Sequence, residues 1–330
     1  MPANPLMRSM LIAVLVGPTA LAAPFDLAPK FKPDTEVYYI TNSVIRHEVA
    51  VPDAGVSQQV TVRTESGMSL RVTAVADDGS AELQWRLCYM ALKTDGEIPG
   101  ISEMLDYDSR QSGSSSPLAP VFARLLERPV TIRVDPTGRV IDFVGLTAGA
   151  GGWGRLVDPL GSLADSFFSR ETFEQLPLFV TAGAPCPARV RAAWPRKTSI
   201  ALPLGVGTLV MEQKFEFRRV NARQQTAELA MKGTLTKGAS SGGASSLLSL
   251  GDAFVVESGT VGGQYVWDYD AGQLSSAETS LDLTSRLDSP LGRMQLRQNM
   301  TSAVRRATAE QVLGHRPPPA SQPASQPAPR

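Results

Sequence analysis

The chain has 330 residues, room for one large or two modest domains. Lys plus Arg and Asp plus Glu each number 32, so no global field draws the protein to nucleic acid or to an anionic membrane. Hydrophobic residues make up 42% and charged residues 19%, enough for a sizeable core under a surface that relies on Ser, Thr, Gln and Gly.

Residues 1–22 read as a secretory signal peptide. Arg8 precedes the apolar run SMLIAVLVGPTALA, and Ala20-Leu21-Ala22 is the small-x-small pattern that a signal peptidase accepts, with the cut after Ala22. Gly17-Pro18 interrupts the run short of the roughly 20 apolar residues that a membrane-spanning helix needs. No later stretch is apolar for long enough to span a bilayer. The expectation is an exported protein, periplasmic or extracellular, with no transmembrane segment once the signal is removed.

A body over residues 23–314 follows, opening with the Pro-rich lead-in PFDLAPKFKPDT. Its dominant hydrophobic period is two. In VMEQKFEF, Met211, Gln213, Phe215 and Phe217 fall on one side of a strand, and Glu212, Lys214 and Glu216 on the other. Ala227, Leu229, Met231 and Leu235 alternate with polar residues in QTAELAMKGTLT, and Met294 and Leu296 oppose Gln295 and Arg297 in RMQLRQNMTSAV. EVYYITNSVIRHEV, QQVTVRTES and SLRVTAVA carry the same pattern. Half-wet strands of this kind belong to antiparallel sheets, not to the doubly covered parallel sheets of nucleotide-binding folds. The fold class expected is mainly β (β-rich α+β): a curved antiparallel sheet, two such sheets or a half-barrel, with a few short helices packed against it. Two strand regions, about 31–150 and 188–314, are joined by a helical insert.

Three corners support this reading: Asp77-Asp78-Gly79-Ser80, Asp135-Pro136-Thr137-Gly138 and Asp270-Ala271-Gly272-Gln273. Each opens with an acidic residue and offers a Gly that tolerates positive φ. Asp135 invites comparison with a catalytic aspartate, but the turn accounts for it: if it faces Arg139, Val134 meets Val140. SPLAPVFARLLERP places Leu118, Val121, Phe122, Leu125 and Leu126 at helical spacing, with Ser116 as cap and Pro129 as stop. GRLVDPLGSLADSFFSRETFEQLPLF reads as one or two further short helices. SSGGASS near residue 243 is a flexible loop, and residues 315–330, rich in Pro, Ala, Ser and Gln, predict a disordered tail.

Candidate chemistry is sparse. Of the two histidines, His315 falls in the tail and His47 sits in a strand beside Glu48, which points to the opposite face. No GxSxG elbow or CxxC metal pattern occurs. Asp106 and Asp108 in LDYDSRQSG could share a strand face and form a weak carboxylate site; the alternative is a turn leading into the helix at Ser116. Export makes Cys88 and Cys186 a candidate disulfide, with two buried free thiols as the alternative. Trp153, Phe167, Phe168, Phe173 and Phe179 cluster in the helical insert and read as core, or, for Trp153, Phe167 and Phe168, as a lid over an apolar groove. The residues call for no cofactor and no metal.

The order of features resembles an uncharacterised exported bacterial family known only as a domain of unknown function. The matching residues are the aromatic strand EVYYI, Asp106, Asp108 and Ser109, the corner Val134 through Val140, and the hairpin Tyr265 through Gly272. The resemblance implies export and a β-rich fold, and it brings no activity or catalytic residue with it. The resulting expectation is a non-enzymatic exported protein that binds an apolar ligand or a protein partner in the cell envelope. A hydrolase using Asp106 and Asp108 is the alternative, and a structural surface protein associating through its sheet edges is another.

Overall fold

The computed structural model describes residues 24–96, 106–111, 116, 119–144, 170–202, 207–238, 253–289 and 292–314. The signal segment with Ala22, the tail, the SSGGASS loop and the aromatics Trp153, Phe167 and Phe168 lie outside these residues.

The alternating segments form a single antiparallel sheet that is curved and not closed. In chain order its strands are β1 (Glu36–Val51), β2 (Val56–Val75), β3 (Ala81–Asp95), β4 (Tyr107–Asp108), β5 (Val130–Val134), β6 (Val140–Val144), β7 (Ala193–Leu202), β8 (Gly207–Asn221), β9 (Thr226–Lys237), β10 (Phe254–Asp268), β11 (Gln273–Ser289) and β12 (Gly292–Ala307). In space they run β6-β5-β3-β2-β1-β12-β11-β10-β9-β8-β7, with β4 beside β3. The two strand regions read from the sequence are therefore halves of one sheet, joined at its centre by the β1–β12 pair. QQVTVRTES and SLRVTAVA are one continuous strand, β2.

The corners behave as their residues dictate. Asp135 Oδ1 accepts hydrogen bonds from the backbone N–H of Thr137 (2.9 Å), the Thr137 hydroxyl (2.6 Å) and the backbone N–H of Arg139 (2.9 Å). Gly138 takes φ +83°, and Val134 pairs with Val140. The side-chain bonds that Asp135 makes all fall on its own corner, which is a structural task.

The helices are short: α1 (Ala119–Glu127), α2 (Arg170–Glu174) and α3 (Ala309–Leu313), with a 3-10 turn at Pro177–Phe179. The second explains the curvature. Laid flat, the two edge strands β6 and β7 would stand ten strand spacings, about 48 Å, apart. Yet α2, five residues and about 7.5 Å long, packs against both of them. The sheet must curl until its edges converge on this helix. Arg170 donates to the carbonyl of Val140 on β6 at 2.8 Å. Phe173 meets Phe143 of β6 at 5.0 Å and Trp85 of β3 at 5.1 Å. On the other side, Arg196 of β7 donates to the carbonyl of Phe179 at 3.2 Å. Pro195 and Lys197 sit on β7, where an edge strand tolerates Pro and charge discourages further pairing.

Inside the curl, one end is packed solid. Leu27 of the lead-in, Leu125 of α1, Phe173, Leu178 and Phe179 fill the space between Trp85, Ile132, Phe215, Phe217, Leu229 and Trp267 of the strands. Phe173 and Phe179 are core residues, as expected. The lead-in is anchored by paired backbone bonds between Phe25 and Ala188 of 2.7 and 2.8 Å.

The outer face carries a small satellite core. Its cap, α3, begins with a reciprocal capping box between Thr308 and Gln311 and buries Val312 against Ile40 and Tyr89. Gly67 on β2 leaves the space that the Tyr89 ring occupies; a Cβ there would overlap the ring. Gly67→Ala should therefore cost about 1–3 kcal/mol in urea unfolding, the range for overpacking. Phe173→Ala should cost about 3–5 kcal/mol and, by loosening the clasp on both edges, raise self-association measured by light scattering.

Candidate ligand-binding site

Register assigns every strand side chain to a face, because directly opposed residues on neighbouring strands point the same way. Starting from buried Tyr39, the inner face of β1 is Thr41, Ser43, Ile45, His47 and Val49. Across from them stand Val60 and Val62 of β2, and Leu296, Gln298 and Met300 of β12. The row continues through Leu281, Leu283 and Leu287 of β11 to Phe254, Val256 and Val261 of β10, then Leu235 of β9 and Leu209 and Met211 of β8. Leu209, Met211, Leu235, Phe254 and Leu283 form a second hydrophobic cluster, apart from the packed end. Val256, Leu281 and Leu287 beside it are only partly buried. The inner face thus continues apolar beyond the part that the core fills.

The outer face of the same strands is the reverse. It shows Arg46, Glu48, Arg63, Glu65, Lys214, Glu228, Lys232, Glu278, Asp282, Arg297 and Arg305, with exposed ion pairs such as Lys197–Glu212 at 2.8 Å. Such pairs contribute little stability, and they mark this face as wet. Among the described residues no helix is long and apolar enough to cross a membrane.

Polar groups on the inner face are few and poorly matched by protein partners. The side-chain polar atoms of Thr41, Thr94, Trp194, Thr198, Trp267 and Ser285 are buried without a hydrogen-bond partner. Arg196 lies there too. Its Nε donates to Gln213 Oε1 at 2.9 Å, and its guanidinium carbon sits 4.6 Å from the centre of the Phe215 ring. Burial lowers its pKa from the ordinary arginine value. Sequence reading placed Gln213 on the buried face but passed over Arg196; the visible signal was the alternation of Trp194, Arg196 and Thr198 in WPRKT.

The carboxylates singled out in the sequence each have bonding partners of their own. The segment 106–111 is a strip laid along β3 beyond the end of β5. Asp106 Oδ1 accepts from the backbone N–H of Thr94 at 2.8 Å. Tyr107 and Asp108 pair with Leu92 and Ala91, and Ser109 exchanges bonds of 2.9 Å with Met90. Asp108 faces outward and grips Arg110 through both oxygens at 2.9 and 3.0 Å. Arg110 also reaches Glu65 at 3.3 Å and stacks over Tyr89 at 5.1 Å. Burial and the bond to Glu65 push the Tyr89 hydroxyl up to about 12, so it stays a donor to that carboxylate. One aspartate accepts from a backbone N–H and the other is paired with a cation.

Cys88 and Cys186 are not bridged. Cys88 sits at a bulge of β3 beside the outer cluster of Ile40 and Tyr89, whereas Cys186 lies exposed in the loop before β7, 3.5 Å from Asp26. The candidate disulfide is corrected accordingly: the fold sends the two side chains to different places. No group of three or more His, Cys, Asp or Glu suited to a metal occurs among the described residues. A cavity of about 40 Å³ lies at the packed end, between Pro29, Phe31, Tyr39 and Trp267. It is far smaller than the several hundred Å³ that hold a drug-sized ligand.

No family model and no curated protein matches the chain. Solved structures do so at low identity. Lipovitellin, in a structure of its lipid–protein interactions, is 12% identical with a TM-score of 0.42, over 84% of this chain and 26% of its own. The chain thus spans about a quarter of that protein's length. An outer membrane channel from Pseudomonas putida F1 is 8% identical with a TM-score of 0.26, over 88% of this chain and 100% of its own. A DUF1329 family protein from Desulfovibrio piger is 11% identical with a TM-score of 0.16, over 85% and 90%.

His47 gives the inner face a measurable signature. Burial holds its pKa below the ordinary 6.5, so the folded chain favours the neutral ring. When pH falls through the unfolded value, the unfolded chain takes up the proton first and stability drops. The urea midpoint should therefore decline as pH is lowered from about 6.5. His47→Gln should remove that share of the decline, leaving a flatter profile than the unaltered chain shows.

Proposed function

We propose that the protein is an exported, non-enzymatic binding protein of the cell envelope that holds the apolar part of a ligand against the inner face of its curved sheet. The single observation that carries this reading is the direction of polarity. A barrel that sits in a bilayer turns apolar side chains outward and polar ones to its lumen. Here most charges of these strands point outward, and Leu281, Leu283, Leu287, Leu296, Val256 and Met211 point inward. An apolar surface turned inward suits a guest carried through water.

Export rests on the reading of residues 1–22 as a signal peptide, and kinship with the uncharacterised exported family rests on the DYDS and VDPTGRV segments. The same inner face could take the apolar stretch of a protein partner. A lipid-like guest is favoured because the covering side chains are aliphatic and the partly buried ones line one continuous row. The hydrolase reading has less support, since Asp106 and Asp108 are each committed elsewhere. The edge-to-edge structural reading is weakened by α2, which covers β6 and β7.

Displacement of the neutral fluorophore N-phenyl-1-naphthylamine by long-chain lipids tests the proposal. The full chain should bind the fluorophore and release it to the lipids. Leu281→Glu combined with Leu296→Glu should weaken binding at least tenfold with an unchanged circular dichroism spectrum. Equal binding by the variant, or none by the unaltered chain, would count against the proposal.

A further inference from the structure

Among the described residues, Arg196 is a cation on the inner face that makes no ion pair. Arg196 projects from β7 opposite Gln213, at the border between the packed end and the second apolar cluster. Its partners among the described residues are all uncharged: the Gln213 side chain, the Phe179 carbonyl and the Phe215 ring. The acid whose field it feels, Glu174, is held by Arg170 at 2.8 Å. A guanidinium cannot shed its proton in a protein, so a half-buried one without a counter-ion is a standing electrostatic cost.

A second observation points to the same spot. Trp194 and Thr198 flank Arg196 at i−2 and i+2 on the same face of β7. Both are more than nine-tenths buried, and Trp194 Nε1 and Thr198 Oγ1 have no protein partner. Buried donors are left unmatched only rarely, because each lost bond costs free energy. A cation with unmatched donors on both sides is the arrangement that receives an anion. From Thr198 the apolar row opens directly: Met211 stands opposite it, and Leu235 stands opposite Met211.

We infer that Arg196, with Thr198 and Trp194, binds the anionic head of an acyl-chain ligand whose tail runs past Met211 and Leu235 to lie along the partly buried Val256, Leu281 and Leu287. This rests on the binding proposed above and specifies its ligand: an amphiphile with a carboxylate or phosphate head. The head contributes charge-assisted bonds to the guanidinium, and the chain covers the aliphatic surface. Arg suits either head, since its planar fork matches both.

The test compares dodecanoate, dodecyl phosphate and methyl dodecanoate as displacers of N-phenyl-1-naphthylamine from the full chain. At least one charged ligand should bind ten times more tightly than the ester, and the better of the two identifies the head. Arg196→Gln should erase that preference while leaving the ester's affinity within twofold, and Arg196→Lys should retain part of it. If the ester displaces as well as both charged ligands, the head site is wrong although the apolar site stands. If none of the three displaces the fluorophore, both are wrong. The comparison on the unaltered chain gives its answer even if Arg196→Gln does not fold.

Discussion

A wide antiparallel sheet has two edges, and each presents a row of unpaired backbone groups that must be hidden or blunted. In this protein one short helix meets that demand for both edges at once. Because α2 touches β6 and β7 together, the sheet between them has no choice but to bend. The bend creates an inside, and the rest of the structure follows from it. The lead-in, α1 and the Pro177–Phe179 turn fill one end of that inside, and the strands that outrun the filling leave aliphatic side chains with incomplete cover.

Faces then acquire meaning. Long strands of 15 to 20 residues, such as β2, β3 and β10, extend well past the packed end. Along them the alternation persists although the core does not. Maintaining Leu and Met over water is unfavourable, at about 25 cal/mol per Å² of apolar surface. The retained aliphatic row, the unmatched hydroxyls among it and the cation at its border belong to one surface, and a guest of matching polarity would satisfy all three.

Much of this was legible before any coordinates. Period-two alternation in VMEQKFEF and QTAELAMKGTLT identified strands and faces correctly, because residues 211–217 and 227–235 lie where burial is complete and the pattern is clean. Asp135 was legible as a corner because its chemistry is local: all its bonds fall within four residues. What escaped was non-local. That β1 pairs with β12 depends on contacts between opposite ends of the body, and no local pattern encodes them. The two-residue spacing of Asp106 and Asp108 was legible, but their partners were not: Asp106 accepts from the Thr94 backbone and Asp108 pairs with Arg110. Helix α3 was missed although Thr308-Ala-Glu-Gln spells a capping box, a signal hidden by the proline tail that follows it. Arg196 was passed over because nothing in the sequence marks a charge as unbalanced; that needs a list of its neighbours.

The β1–β12 pair has a further consequence for how the chain comes to life. Tyr38 meets Ala307 and Ala50 meets Gln295, so the seam in the middle of the sheet joins the first of the described strands to the last. During synthesis, β1 must wait with one flank open while the other described strands emerge. Closure of so distant a pair is slow, and an open flank invites strangers. The protein's most dangerous moment therefore comes before it is complete. Its need for a chaperone during synthesis should be set by the centre of the sheet, not by its rims.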